Sequence, residues 1–301
     1  MDARVYVEDY RVLKRAEVAI DKVVLYGPNG AGKTTLMEAI GYLLAEEPPT
    51  EQLKLKFTGK SFRIGVKDVV EVAWRDGSYV LAVWEGGQLR ERQRSGNPYD
   101  YGFREALREA FREGGVPVGR AAWVAPDAVI TTHEQYKQYN YASSSGDIRL
   151  PMLELDVIEE IEDIASELLG IYRIAPVTGR GYETYVKRSG VGWIPFQHLA
   201  YGTRKALAML FAERLADILF IETFEAGFHA DLVVTLLKHL SEFNGPVFIE
   251  THLGLVVAHA LSRGWKAYYV EKGSTKKELK SIEDLRDAEL FRKEIEAMSP
   301  T

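Results

Sequence analysis

Cysteine is absent, which excludes disulfides and thiolate metal sites. Histidine is scarce and scattered. There are six in 301 residues and no H-x-x-x-H pair, so a structural zinc site is not expected. Positive charge has no surplus either: 38 basic residues face 44 acidic ones, a net charge of −6. A general nucleic-acid binder is thereby excluded, although a local basic face stays open. No apolar run approaches about 18 residues, so no membrane span is expected. The opening stretch "MDARVYVEDYRVLKR" alternates like a strand and offers no apolar core of a signal peptide, which points to the cytoplasm. What is present is ordinary for a globular protein, at 46% hydrophobic and 27% charged.

Periodicity organises the chain. Arg4–Ile20 reads as β, and "KVVLYG" (Lys22–Gly27) as a short apolar strand closed by glycine. Lys33–Glu47 carries Leu36, Ile40, Leu43 and Leu44 at helical spacing and stops at Pro48-Pro49. Residues Phe62–Arg94 contain three strand-like runs with turns at Asp76-Gly77 and Gly86-Gly87, an antiparallel meander. Phe103–Gly115 and Leu153–Gly170 are amphipathic helices. Tyr136–Asp147 is polar and serine-rich, the composition of a mobile loop, and Tyr182–Phe196 is a hairpin. From Arg204 onward, helices (Arg204–Leu215, Leu232–Phe243, one from about Leu255) alternate with strands (Ile218–Glu222, Val247–Thr251, Lys266–Glu271). That alternation implies a mostly parallel sheet flanked by helices.

One motif carries chemistry outright. "GPNGAGKTT" (Gly27–Thr35) fits G-x-x-x-x-G-K-[ST] between an expected strand and an expected helix. Glycines let backbone N–H groups turn inward around phosphate oxygens. The cradle is Pro28, Asn29, Gly30, Ala31, Gly32, Lys33, Thr34 and Thr35, with the helix N-terminus adding partial positive charge. Lys33 is placed to reach the β- and γ-phosphates of ATP, and the Thr34 hydroxyl to ligate Mg2+.

Together with three later stretches, this loop resembles the head of ABC-type ATPases. It is similar to their Walker A sequence. "HLAYGTRKAL" (His198–Leu207) resembles their signature motif, "ILFIETFEAGFH" (from Ile218) their Walker B strand and following turn, and "VFIETH" (Val247–His252) their last core strand and switch histidine. The order and the long insertion between the halves resemble the RecF-type, chromosome-maintenance and overcoming-lysogenization-defect relatives, without their coiled coil or nuclease domain. The resemblance covers about 1–45 and 155–290. It implies an α/β P-loop NTPase fold and a single ABC-type ATPase domain over 1–301. Lobe I would be about 1–130 and 205–290, with the meander at 62–94, and a helical signature lobe would span about 131–204.

The resemblance also implies roles. Two heads would stack as a homodimer around two Mg-ATP, with Tyr201, Gly202 and Thr203 of each facing the phosphates held by the other. The relatives' signature serine aligns with Ala200. Glu222 stands where a Walker B aspartate holds magnesium, and His252 at the switch position. Thr223 stands at the relatives' catalytic glutamate, and a neutral hydroxyl is no proton acceptor near neutral pH. Glu225 is a conceivable substitute. The relatives' magnesium-contacting glutamine has no clear counterpart among Asp127, Gln135 and Gln138, beyond a strand at Arg120–Pro126. The expected function is a slow ATPase, acting in DNA repair, recombination or defence. The alternative is a nucleotide-gated binding module with little hydrolysis. A small-molecule kinase would need neither signature nor switch histidine. Expected partners are a second copy and either nucleic acid or a DNA-processing protein. The Arg-rich runs "REALREAFRE" and "LRERQR" fit solvated faces better than DNA contacts. His198, His229, His239 and His259 read as structural.

Overall fold

A computed structural model describes residues 3–46, 61–126, 130–132, 155–178 and 182–298. Pro48-Pro49, Asp127, Gln135, Gln138 and the polar loop at Tyr136–Asp147 fall outside the described residues. Sixteen strands and eight α-helices are described. β1 (Arg4–Tyr10), β2 (Leu13–Ala19) and β3 (Lys22–Tyr26) lead into α1 (Lys33–Leu44). The meander is β4 (Phe62–Val66), β5 (Val70–Arg75), β6 (Ser78–Glu85) and β7 (Gln88–Ser95), followed by α2 (Tyr101–Glu113), β8 (Ala121–Val124) and β9 (Ile130–Thr132). Next come α3 (Leu155–Leu169), β10 (Ile171–Thr178), β11 (Tyr182–Arg188) and β12 (Gly192–Pro195). The last part runs α4 (Tyr201–Leu215), β13 (Ile218–Ile221), α5 (Ala230–Ser241), β14 (Val247–Thr251), α6 (Gly254–Leu261), β15 (Lys266–Glu271), β16 (Ser274–Leu279), α7 (Ile282–Arg286) and α8 (Glu289–Met298).

The main sheet has thirteen strands in the order β7-β6-β5-β4-β1-β2-β16-β15-β3-β14-β13-β8-β9. The expected parallel sheet is its centre: β15, β3, β14, β13 and β8 are mutually parallel neighbours. On the far side, antiparallel strands extend it through β1, β4 and the meander, and β9 adds an antiparallel edge. The whole sheet is therefore mixed. The meander has four strands rather than three and is continuous with the core sheet. Its turns are as expected: Asp76 and Gly77, then Gly86 and Gly87, all have positive φ, the geometry that suits a two-residue hairpin.

The central strands are buried on both faces, so their alternation divides side chains between two cores. Val23 and Leu25 join one, Val24 and Tyr26 the other; Ile218 and Phe220 separate likewise from Leu219 and Ile221. Each fully buried aliphatic contributes roughly 1.5–3 kcal/mol. Trp123, Phe220 and Phe248 sit at matched register on three adjacent strands and stack at 5.3 and 5.2 Å. This ladder stiffens the sheet beneath its carboxyl edge.

The stretch at 155–198 holds more β structure than expected. β10 pairs with the anticipated hairpin to make a three-stranded antiparallel sheet, packed against α3. Buried Glu162 of α3 accepts bonds from Ile174 N (2.6 Å) and Arg173 Nη1 (2.8 Å), tying helix to sheet. The Arg-rich runs are neutralised rather than gathered into a basic face. Arg92 pairs with Glu109 and Glu113, and Arg94 with Glu91. Arg104 is not on a solvated face at all: it is buried and donates to Tyr42 O and Ala45 O, capping the end of α1.

Candidate functional site

The phosphate loop runs from the end of β3 into α1. Gly32 precedes the helix at φ 102°, which a side chain rarely adopts, and a Cβ there would lie 2.8 Å from Leu13 Cδ2. The loop is thus packed beneath the β1–β2 turn, while Asn29 and Gly30 are exposed at its tip. No side chain caps α1 and no acid lies in its first turn, leaving the orphan N–H groups and the helix dipole open to an anion. Lys33 is buried, and its ammonium curls back to donate to Gly27 O (2.9 Å) and Pro28 O (3.0 Å). Burial lowers its pKa, and Glu250 and Glu225 partly offset that.

The carboxyl edge of β14 faces this loop. Glu250 is 7% exposed and accepts a hydrogen bond from Thr34 Oγ1 at 2.6 Å. Its other oxygen lies 3.7 Å from Lys33 Nζ and 3.8 Å from His252 Nε2. His252 Nδ1 is 2.8 Å from Gly27 O. A carbonyl only accepts, so Nδ1 carries the proton and Nε2 faces the site. Glu225 is already engaged: Oε2 accepts from Thr251 Oγ1 (2.7 Å) and Oε1 from His252 N (2.9 Å). It fixes the turn that presents His252, so a role as substitute base would require breaking those bonds.

Glu222 follows β13, one strand further from the loop. Its Oε1 accepts from the indole of Trp123 at 2.6 Å. Burial raises its pKa; the indole bond opposes this, Glu250 and Glu38 add to it, and Lys205 opposes it. Thr223 follows in left-handed conformation, φ 42°, a strained state for a β-branched residue. Lys205, wholly buried in α4, donates to the carbonyls of both Glu222 and Thr223 and holds that turn. Burial brings its pKa down to about 8.

Tyr201, Gly202 and Thr203 form the first turn of α4, which starts three residues earlier than its sequence suggested. Ala200 at the N-cap gives no side-chain bond, so this too is an open helix N-terminus. Gly202 lies against the turn after β13: a Cβ there would be 2.1 Å from Gly227 O. That contact within the chain is by itself a reason for glycine at 202.

Lys33, Thr34 and His252 therefore converge, whereas Glu222 points to Trp123, and the 201–203 turn reaches the turn after β13 through Gly202 and Lys205. Sequence reasoning passed over Glu250, Lys205, Trp123 and the ion pair of Arg11 in the β1–β2 turn with Glu38 of α1. Glu250 had a signal. It lies two residues before His252, after the apolar run Val247–Ile249, hence on the same face. No cluster of three or more acidic or histidine ligands occurs among the described residues. Magnesium does not need one, since it takes one or two protein oxygens beside phosphate. The hydroxyl of Thr34 with nearby carboxylates fits that demand. No described helix is long and apolar enough to cross a membrane.

Comparison with known proteins adds three findings. A family model described as an AAA domain matches residues 7–172, more than half of the chain. Among solved structures, the chain is similar to an Smc head bound to the C-terminal winged-helix domain of ScpA. That match has 13% identity and a TM-score of 0.57, and covers 95% of this chain and 99% of that one. It is also similar to cbiO1 of Clostridium perfringens, part of the ABC transporter complex cbiONQ, at 16% identity and TM-score 0.50, covering 99% of this chain and 95% of that one. No curated protein sequence matches.

Proposed function

This chain belongs to the AAA domain family, and on that footing we propose that it is an ATP-driven switch of ABC type. It binds Mg-ATP at the Gly27–Thr35 loop, closes as a homodimer around two nucleotides and hydrolyses them slowly. The observation that carries the reading is the convergence of Lys33, Thr34 and His252 on one open helix N-terminus at the carboxyl edge of the parallel strands. Ligands of open α/β sheets bind at that edge.

Each residue has a task in this reading. Lys33 leaves its own loop carbonyls for the β- and γ-phosphates, Thr34 meets magnesium, and Glu222 is an acid on the magnesium side. His252 turns an N–H to the γ-phosphate, as Lys33 turns its ammonium. Magnesium neutralises phosphate charge as it develops in transfer. Tyr201, Gly202 and Thr203 offer N–H groups to the nucleotide of the other copy. The lobes are those expected from sequence, about 1–130 with 205–290, and about 131–204. The switch works in the cytoplasm on nucleic acid or on a DNA-processing partner, in repair, recombination or defence.

One observation favours a second reading, a binding module with little hydrolysis. Thr223, at the position of the catalytic acid, is neutral and held in a strained turn. Phosphate release separates the two. Wild type turning over well below one per second, with Lys33→Ala lower still, supports slow hydrolysis; a rate indistinguishable from Lys33→Ala supports the module. Several turnovers per second would sink both statements. Size-exclusion chromatography should show a dimer with Mg-ATP and a monomer without. Thr223→Glu restores a carboxylate where water is to be activated. It should raise the rate about a hundredfold, the usual scale of a positioned base. An unchanged or lower rate would mean that the missing base is not at 223.

A further inference from the structure

Glu250 has no part in the reading above, yet its carboxylate bonds Thr34 of the phosphate loop. It is the only charged residue of β14 and is 7% exposed. Its backbone is fixed twice, by pairing with Leu25 of β3 and by the Phe224 N–H on its carbonyl at 2.8 Å. Its carboxylate is bonded to the hydroxyl of Thr34 and stands beside Lys33. Both partners are the groups that a triphosphate would claim. Once they turn to the nucleotide, a buried carboxylate is left facing a polyanion. Two like charges repel far more strongly in a buried site than in water. A buried charge in that position is tolerable only with a cation between. An ion seated on the Thr34 hydroxyl lies between them, and its hard, oxygen-only preference matches what is offered.

We infer that Glu250, on the switch-histidine strand, supplies the nearer carboxylate of the magnesium shell, with Glu222 a second and more distant acid. The inference rests on the ATP reading.

The test is the affinity for a fluorescent ATP analogue, measured in EDTA and in magnesium. Glu250→Gln keeps a carbonyl to accept from Thr34 but loses the charge. It should cut the magnesium-dependent gain about tenfold or more, the scale of lost metal-site partners. Binding in EDTA should be unchanged or tighter, and Glu222→Gln should lose less of the gain. A full wild-type gain in Glu250→Gln overturns the inference. Equal tightening in both arms does so too, because Glu250 then only detains Lys33. If the variant fails to fold, wild type with Mn2+ and a non-hydrolysable analogue decides. Anomalous density should place the ion within one water of the Glu250 carboxylate, and a greater separation refutes the assignment. Wild type binding no better than Lys33→Ala would overturn the ATP reading itself, a result distinct from binding with an unaltered magnesium gain.

Discussion

Two lysines are buried near the starts of two helices, and they are spent differently. Lys33 opens α1 and donates to Gly27 O and Pro28 O, carbonyls of its own loop, with Glu250 at 3.7 Å. Lys205 lies in the first turns of α4 and donates to Glu222 O and Thr223 O, which belong to another element. The first bonds are local and exchangeable, so a phosphate can replace them. The second set joins two elements and supports a left-handed threonine, so nothing is free to replace it. A buried cation alone does not mark a binding site; what its bonds hold decides.

Three measurements press on that contrast. Lys33→Ala should weaken ATP binding by about two orders of magnitude, the loss of a charge-assisted pair of bonds. It should cost the empty protein less stability than the loss of Lys205 does, and calorimetric titration with a thermal melt reads both. Lys205→Met keeps the volume but leaves two carbonyls unsatisfied. It should lower unfolding free energy by about 2 kcal/mol or more in denaturant titrations. If instead Lys33→Ala proves the more destabilising of the two, the contrast fails. The third measurement concerns pH. Lys205 titrates at about 8 when folded, against 10.5 ordinarily. Above 8 the unfolded chain binds more protons, so stability should climb with pH from about 8 toward 10, by at most about 1.4 kcal/mol per unit. Below 8 both states are protonated and the burial penalty is constant. The climb, taken as wild type minus Lys205→Met so that tyrosines cancel, should be absent if Lys205 keeps an ordinary pKa.

Legibility followed locality. The phosphate loop was readable because its glycines, lysine and threonine are contiguous and their spacing is set by one turn. The strand ends at Glu222 and His252 were readable because apolar runs of parallel strands stop abruptly. Glu250 and Lys205 escaped because their meaning depends on partners 216 and 18 residues away. Lys205 also sits in a helix buried nearly all round, whose pattern gives no inward side. The extension of the parallel centre by the meander was hidden for a similar reason. The β1–β4 pairing across residues 4–66 is non-local, and each strand alone reads as part of a separate antiparallel unit. The added strand β10 was missed because its partner hairpin was complete without it.

Helix α8 has a bearing on how the molecule is handled. Glu294 of α8 accepts from the Tyr26 hydroxyl at 2.7 Å and from Gly254 N at 2.9 Å. Tyr26 is the last residue before the phosphate loop, and Gly254 follows His252 by two. Phe291 of the same helix lies so close to Gly254 that a methyl there would collide with it. One carboxylate thus acts as a tie-rod between the two sides of the pocket, anchored in α8. A tag, a fusion or a partner that tugs on that helix would be wired to the pocket before any ligand entered it.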